Sequence, residues 1–322
     1  MRDHGGNLDA ALARYGDGAQ AWIDLSTGIN PVPYPLPEFP PSCWNTLPTR
    51  SDLEALAHAA RAAYGTSAPI LPVAGAQAAI QMIPRLIGPG TAHVLGPTYN
   101  EHAASLTAAG WQVRTVSRID KLPGADLAVV VNPNNPDGNR IAPRDLMALS
   151  ERVGLLIVDE SFADPHPELS LTGHLQPETS NILVMRSFGK FYGLAGLRLG
   201  FVLGGAAHIG ALSEMAGPWP VTGPAIVAGI KALRDRDWQH RTTERLASDA
   251  ARLDGLACQA GWTVLDGTTL FRLYDTPDAG AAQDQLARHA IWTRIFPYSP
   301  TWIRLGLPGD ESGWTRLEKA LA

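Results

Sequence analysis

Three stretches of the chain, LAVVVNPNNPDG, LLIVDESF and ILVMRSFGK, follow one pattern: four or five apolar residues without polar alternation, then a polar turn. A strand with one wet face alternates polar and apolar residues. An unbroken apolar run of this length is a strand buried on both faces. Such strands belong to mostly parallel sheets with helices packed on either side, so the pattern dictates an α/β architecture. In open α/β sheets, ligands bind at the turns after the carboxyl ends of the strands, and here those turns hold Asn, Asp, Ser and Lys.

The same reading along the chain predicts strands over Ala92–Leu95, Gln112–Val116, Leu127–Val131, Leu155–Val158, Ile182–Met185 and Leu199–Leu203. The segment DLEALAHAARAAY, Asp52–Tyr64, has the apolar spacing of an amphipathic helix and is followed by Gly65. Residues 1–50 are rich in turn formers and contain NPVPYPLPEFPP, which predicts an extended arm lying on the rest of the protein. Residues 51–232 are expected to form a large α/β domain. After PWPVTGPA a helical pattern over 225–260 is interrupted at RDRD. Strand-like WTVL, LFRLY and TWIRLGL then mix with helical AAQDQLARHA and SGWTRLEKAL, predicting a smaller α+β domain over 233–322.

Several function classes fall away on composition. The 322 residues carry a net charge of −5, which offers no electrostatic footprint for nucleic acid. No polybasic run points to a membrane surface, and no stretch is apolar for long enough to span one. Cys43 and Cys258 are far apart and form no C-x-x-C pair, as expected of thiols in a reducing compartment. MRDHGGNLDA lacks the apolar core of a signal peptide, and the expectation is a cytoplasmic protein. The nine histidines show no paired-ligand spacing, so no metal is expected.

The chain has four lysines against twenty-two arginines, and one of the four, Lys190, lies in MRSFGKFYGLAGLRLGF among glycines, aromatics and leucines. Ser187 and Lys190 match S-x-x-K, but a serine acylase of that type also needs a K-T-G element, which is absent. GLAGLRLG does not fit the dinucleotide fingerprint and precedes a strand instead of following one. No G-K-[ST] of a P-loop occurs. A lysine in an apolar pocket suits a different chemistry. Desolvation disfavours the ammonium form and leaves a neutral amine to condense with an aldehyde. Pyridoxal phosphate is the usual aldehyde, and it needs a carboxylate at its ring nitrogen, donors for its phosphate and a partner for its ring.

Each requirement has a candidate. Asp159 ends a buried strand and would keep the ring nitrogen protonated; the alternative is that Asp159 and Glu160 only cap the loop. Gly75-Ala76-Gln77 opens a helical pattern whose first amides suit an anion, and Ser187 and Arg198 could add a hydroxyl and a guanidinium. VVVNPNNPDGNR ends a strand in two Asn-Pro steps, where an amide could bond a ring hydroxyl or the prolines could simply stiffen a turn. Tyr99 of GPTYNEH offers a stacking face, or packs as any tyrosine does.

In order, LSTGINP, GAQAAI, GPTYNEH, NPNNPDG, VDESF, SFGKFYGLAGLRLGF and WIRLGLP resemble the fold-type-I pyridoxal-phosphate enzymes of the class I/II aminotransferase superfamily, from about residue 25 to 307. That resemblance implies a large domain with a mostly parallel central sheet, a smaller α+β C-terminal domain, an N-terminal arm and a homodimer. It implies that Lys190 forms the Schiff base with the cofactor, that Asp159 pairs with the ring nitrogen and that Asn135 contacts the ring hydroxyl. Tyr99 would stack on the ring, and Ala76, Gln77, Ser187 and Arg198 would hold the phosphate. Arg304 would receive the substrate α-carboxylate, with Asn30 facing the same site. Two positions depart from the pattern. Phe162 stands where many relatives have a Tyr, which predicts altered titration of the bound cofactor. Leu47-Pro48 stands where relatives often carry a Tyr-Pro step reaching the neighbouring subunit's phosphate.

Within the superfamily the chain looks most like the histidinol-phosphate aminotransferases and the threonine-phosphate decarboxylases of cobalamin biosynthesis. DHGGNL with His4, PWPV at 218–221 and Phe162 resemble the decarboxylases, and a flexible arm with His4 could close over a phosphorylated substrate. Such enzymes labilise whichever Cα bond stands perpendicular to the conjugated ring. Presenting C–H gives transamination; presenting C–COO⁻ releases CO₂. The expected activity is decarboxylation of L-threonine O-3-phosphate to (R)-1-amino-2-propanol O-2-phosphate. The alternatives are an aminotransferase of the histidinol-phosphate type and a catalytically idle cofactor-binding protein of the same pathway.

Overall fold

The computed structural model describes residues 4–16, 20–179 and 181–322. By compactness they group into two units. One comprises residues 34–135 and 140–239; the other comprises the described residues up to Pro33, Pro136–Asn139 and His240–Ala322. The units divide at 33/34 and 239/240, with residues 136–139 grouped with the second.

The first unit is built on a seven-stranded sheet: β1 (Ile70–Val73), β2 (Thr91–Leu95), β3 (Gln112–Val116), β4 (Leu127–Val131), β5 (Leu155–Asp159), β6 (Ile182–Ser187) and β7 (Gly200–Gly204). The spatial order is β1-β7-β6-β5-β4-β2-β3. Strands β2 to β6 pair in parallel, whereas β7 runs antiparallel to both β6 and β1. Every residue of β4, β5 and β7 is buried, as unbroken apolar runs require. One face packs on a core that includes Val94, Leu127, Ile157, Leu183 and Val202.

The six expected strands are present, with β3 and β4 at the expected bounds. Strand β1 was not anticipated, because Pro72 cannot donate to a ladder and argues against a central strand. The fold tolerates Pro72 because β1 is an edge strand, paired only with β7. The helix expected from Asp52 begins earlier, as α1 (Arg50–Tyr64), because Thr49 accepts from the Asp52 amide while the Asp52 carboxylate accepts from the Thr49 amide. Two further helices position site residues: α2 (Ala76–Met82) and α3 (Glu101–Ala108). The helical pattern over 225–260 is two helices, Gly223–Arg234 and Arg236–Gln259, broken at Asp235 inside RDRD.

The second unit contains a four-stranded antiparallel sheet of β8 (Thr263–Thr268), β9 (Phe271–Asp275), β10 (Arg294–Phe296) and β11 (Ser299–Leu305), in the order β10-β11-β9-β8. Helices Leu8–Tyr15, Ala279–Ala287 and Glu311–Leu321 belong to the same unit. Among the described residues no helix is long and apolar enough to cross a membrane.

Candidate active site

Parallel strands deliver the turns that follow them to one edge of the sheet. Residues after β1, β2 and β4 and at the ends of β5 and β6 therefore converge there. Antiparallel β7 brings the residue before it to the same edge, which explains how Arg198 joins residues that all follow strands. The result is a cavity of about 190 Å³ lined by Ala76, Gln77, Tyr99, Asn135, Asp159, Ser187, Lys190 and Arg198, among others. All eight cofactor-site residues expected from the sequence thus surround one space.

Local structure explains why these residues and not their neighbours face it. Gly75 precedes α2 at φ +76, in the left-handed region, and a Cβ there would meet Arg198 Nη2 at 2.6 Å. The Arg198 guanidinium can therefore lie directly against the turn whose Ala76 and Gln77 amides begin α2, where first-turn amides lack helical acceptors. Arg198 itself is a non-glycine residue at φ 54, and its Nη1 donates to Ala195 O at 2.9 Å. Of the asparagines in NPNNP, Asn132 donates to Ile141 O at 3.0 Å and accepts from the Ile141 amide. Asn134 accepts from Thr98 Oγ1 and donates to Pro97 O at 2.9 Å. Both tie loops together, and Asn135 is the one that lines the cavity.

Asp159 is 3% exposed and surrounded by donors. His102 Nε2 lies 2.8 Å from Oδ2, and Oδ1 accepts from the Ser161 hydroxyl and from the Ser161 amide at 3.0 Å. An ionised carboxylate only accepts, so His102 Nε2 carries the hydrogen. Burial alone would raise the Asp159 pKa; the His102 and Ser161 hydrogen bonds outweigh it and hold the carboxyl below its ordinary value. A depressed carboxylate contributes stability that is fully present above the unfolded-state pKa. That contribution is lost as pH falls through the lower folded value, so Asp159 remains an anion throughout neutral and mildly acidic pH.

His102 and Ser161 were not anticipated. The available signal was positional: α3 buries Glu101, His102, Ser105 and Leu106, so a histidine occupies the inward face three residues after Tyr99. Gln77 Nε2 donates to Glu101 Oε2 at 3.0 Å and Tyr99 Oη donates to Gln77 Oε1 at 3.4 Å, orienting the Tyr99 ring through α2 and α3. Replacing His102 with Phe should remove a hydrogen bond to a buried charge, worth about 1.5–3 kcal/mol. The expected result is a rise in the Asp159 pKa, read by infrared titration of the carboxyl, with about 10- to 100-fold lower turnover. An unmoved carboxyl titration would show that His102 has no such part.

Phe162 is buried, lines the cavity and presents its ring 5.7 Å from Lys190 Nζ, with no hydroxyl to offer. The donor set fits the expected cofactor. Amides, a hydroxyl and a guanidinium gather at one end for a phosphate, and the wall includes an amine, an asparagine amide and an ionised carboxylate matched to a protonated ring nitrogen.

His4, Asn30 and Arg304 belong to the second unit and do not line this cavity. Arg304 on β11 is buried, donates from Nη2 to Ser26 O at 2.6 Å, and stands over the Phe271 ring at 4.9 Å. Its register partner on β10 is Arg294. Burial and the Arg294 charge push the Arg304 pKa down to about 10. Asn30 Oδ1 accepts from Arg245 Nη2 at 2.6 Å and from the Val32 amide at 3.0 Å, so this oxygen has a structural part. His4 lines a second cavity, of about 330 Å³, with Asn7, Ser26, Trp292 and Arg294. The glycines after it have backbone reasons: a Cβ on Gly5 would meet Ser26 O at 2.3 Å, and Gly6 sits at φ +82, in the left-handed region, with its amide donating to Ser26 Oγ at 2.7 Å.

A doubly wound unit with a lysine, a carboxylate and a guanidinium gathered at one sheet edge defines a class, and the sequence agrees: the family model "Aminotransferase class I and II" matches residues 44–321. The chain belongs to that family. Within it, the chain is 45% identical to a threonine-phosphate decarboxylase of a Sinorhizobium species, covering 99% of this chain and 97% of the relative. It is 44% identical to a threonine-phosphate decarboxylase of Pseudomonas aeruginosa, covering 100% and 97%. A histidinol-phosphate aminotransferase of Salmonella newport matches at 33% identity over 50% of this chain and 52% of its own length. Among solved structures, the histidinol-phosphate aminotransferase of Sinorhizobium meliloti in complex with pyridoxal 5'-phosphate superposes with TM-score 0.81, at 20% identity, covering 100% of this chain and 94% of that one.

Proposed function

We propose that this protein is a pyridoxal-phosphate-dependent decarboxylase of L-threonine O-3-phosphate. The observation that carries the proposal is the extent of sequence similarity: 44–45% identity to threonine-phosphate decarboxylases spans essentially the whole chain, whereas the sequence match to the Salmonella histidinol-phosphate aminotransferase covers half of it. The products are (R)-1-amino-2-propanol O-2-phosphate and CO₂. We place the reaction in cobalamin biosynthesis, as the resemblance of DHGGNL and PWPV to that group implies.

When bound, the cofactor supplies an electron sink conjugated to the substrate amine. Asp159, held as an anion by His102 and Ser161, would accept a hydrogen bond from the ring nitrogen and keep it protonated. Arg198, Ser187 and the Ala76 and Gln77 amides would anchor the phosphate, and Asn135 and Tyr99 would bound the ring. Lys190 Nζ would hold the cofactor covalently and, displaced from it by the substrate amine, would be the group placed to return a proton to Cα in place of CO₂. The substrate carries a carboxylate and a phosphate. Arg304 and Arg294, facing each other across β10 and β11 at a cost visible in the lowered Arg304 pKa, form an electropositive pair suited to such an anion. Arg304 is the proposed carboxylate receptor, with His4 and Asn30 as further substrate contacts. A homodimer is part of the proposal, supported by the exposed apolar side chains Leu36, Trp44, Leu47 and Trp219 of the first unit.

The test is to mix the protein, pyridoxal phosphate and L-threonine O-3-phosphate without a keto acid. Stoichiometric CO₂ is the expected result. Conversion of the cofactor to its amine form without CO₂ would overturn the proposal in favour of an aminotransferase. Cofactor binding with no turnover would favour the idle protein.

A further inference from the structure

We propose that Arg186 is a positioning residue, whose guanidinium fixes the cofactor-facing turn over residues 159–164 by gripping Glu160 and Asp164 together. The proposal rests on reading the first cavity as the cofactor's. The turn reads DESFAD, and its members divide by direction. Asp159, Ser161 and Phe162 line the cavity; Glu160 and Asp164 do not, and are buried away from it.

A single side chain reaches both of the latter. Arg186 Nη1 donates to Glu160 Oε2 at 2.9 Å and Nη2 donates to Asp164 Oδ1 at 2.9 Å. Arg186 lies on β6 immediately before Ser187, and strand alternation sends the two side chains to opposite faces. The same guanidinium therefore joins the strand that ends in Ser187 and leads to Lys190 to the turn that carries Asp159 and Phe162. Glu160 is held further by the Leu171 amide at 2.7 Å and by the Ser170 hydroxyl, and the guanidinium packs over the Tyr64 ring at 4.5 Å.

Arg186 is 4% exposed and Glu160 0%. Burial works against charge on all three groups: at Arg186 the Asp164 and Glu160 carboxylates outweigh it and hold the pKa above the ordinary arginine value, whereas at Glu160 and Asp164 burial outweighs Arg186 and raises both carboxyls. Buried ion pairs are poor stabilisers compared with apolar packing of the same volume. What a planar fork supplies, and apolar packing does not, is a fixed distance and angle between two acceptors. Here those acceptors bracket the residues whose placement a bound ring would sense.

Two variants of the full chain test this. Arg186→Lys offers one point charge where the fork spans two carboxyls. The triple variant Glu160→Gln, Asp164→Asn, Arg186→Met removes every charge, leaving none buried without a partner. Three quantities are read: pyridoxal phosphate dissociation constant, hydrogen exchange of the 160–164 amides in cofactor-free protein, and kcat against KM. Folded variants are expected to bind cofactor about 10- to 100-fold more weakly and to exchange faster at 160–164. Turnover should fall with substrate KM close to the parent's. A folded variant with parent-like cofactor affinity and exchange would overturn the proposal. So would failure of both variants to fold, which would assign the network to stability alone. If the parent itself binds no cofactor, the reading of the cavity fails, while the exchange comparison still tests the grip of Arg186 on the turn.

Discussion

Lys190→Ala is expected to abolish the absorbance band of protein-linked cofactor and to lower kcat by about 10³-fold or more. Two separate losses combine in this variant. The amine proposed to form the covalent link is gone, so the substrate amine must condense with a free aldehyde, expelling water, instead of displacing a linked amine. The group proposed to return a proton to Cα is also gone, and proton transfer by a positioned side chain is worth about 10²–10⁴-fold. Added methylamine should restore part of the turnover if an amine is what the site lacks. A retained absorbance band would overturn the assignment of Lys190. Lys190 is only partly buried, and its contact with the Phe162 ring is lost with it.

Asp159→Asn should lower kcat by about 10²–10³-fold while leaving the protein folded and able to bind cofactor. The amide keeps the carboxylate's shape, and its oxygen can still accept from His102 or Ser161. It cannot supply the negative charge proposed to hold a proton on the ring nitrogen. The parent's carboxyl is kept below its usual pKa by the same His102 and Ser161 bonds, so acidification through the mildly acidic range should not mimic the variant. Parent-like turnover in Asp159→Asn would remove Asp159 from the mechanism. Asp159→Glu is the complementary control, since it restores charge and displaces it by one methylene.

How legible these features were in sequence depended on the range of the interaction. Strands β4 and β5 were plain because a doubly buried strand records its environment in its own residues. Lys190, Asp159 and Asn135 followed, since the topology of a parallel sheet puts strand-terminal residues at one edge. Strand β1 was hidden because Pro72 is acceptable only at an edge, and edge position is set by pairing with β7, far along the chain. The early start of α1 depended on a reciprocal pair, Thr49 with Asp52, which an apolar-spacing argument does not weigh. His102 was hidden for a further reason: its partner Asp159 lies on another element, and only the packed rotation of α3 shows that they meet. The Arg186 fork is of the same kind. DESF and MRSF read as separate turn and strand ends, and their coupling exists only once β5 and β6 are side by side.

The placement of β7 bears on the order in which the molecule can assemble during synthesis. In the sheet β1 touches only β7, so the first strand to leave the ribosome waits for the last of the seven before any of its ladder bonds can form. Ile70 finds Leu203, and the Gly75 turn finds Arg198, across most of the intervening unit. Contacts so distant along the chain form late and slow the search. A nascent chain ending before Arg198 would therefore expose β1 as an unpaired apolar edge and lack the guanidinium that lies against the Gly75 turn. Cofactor capture would then report that the sheet has closed, and pyridoxal phosphate supplied during refolding should favour the closed form by mass action.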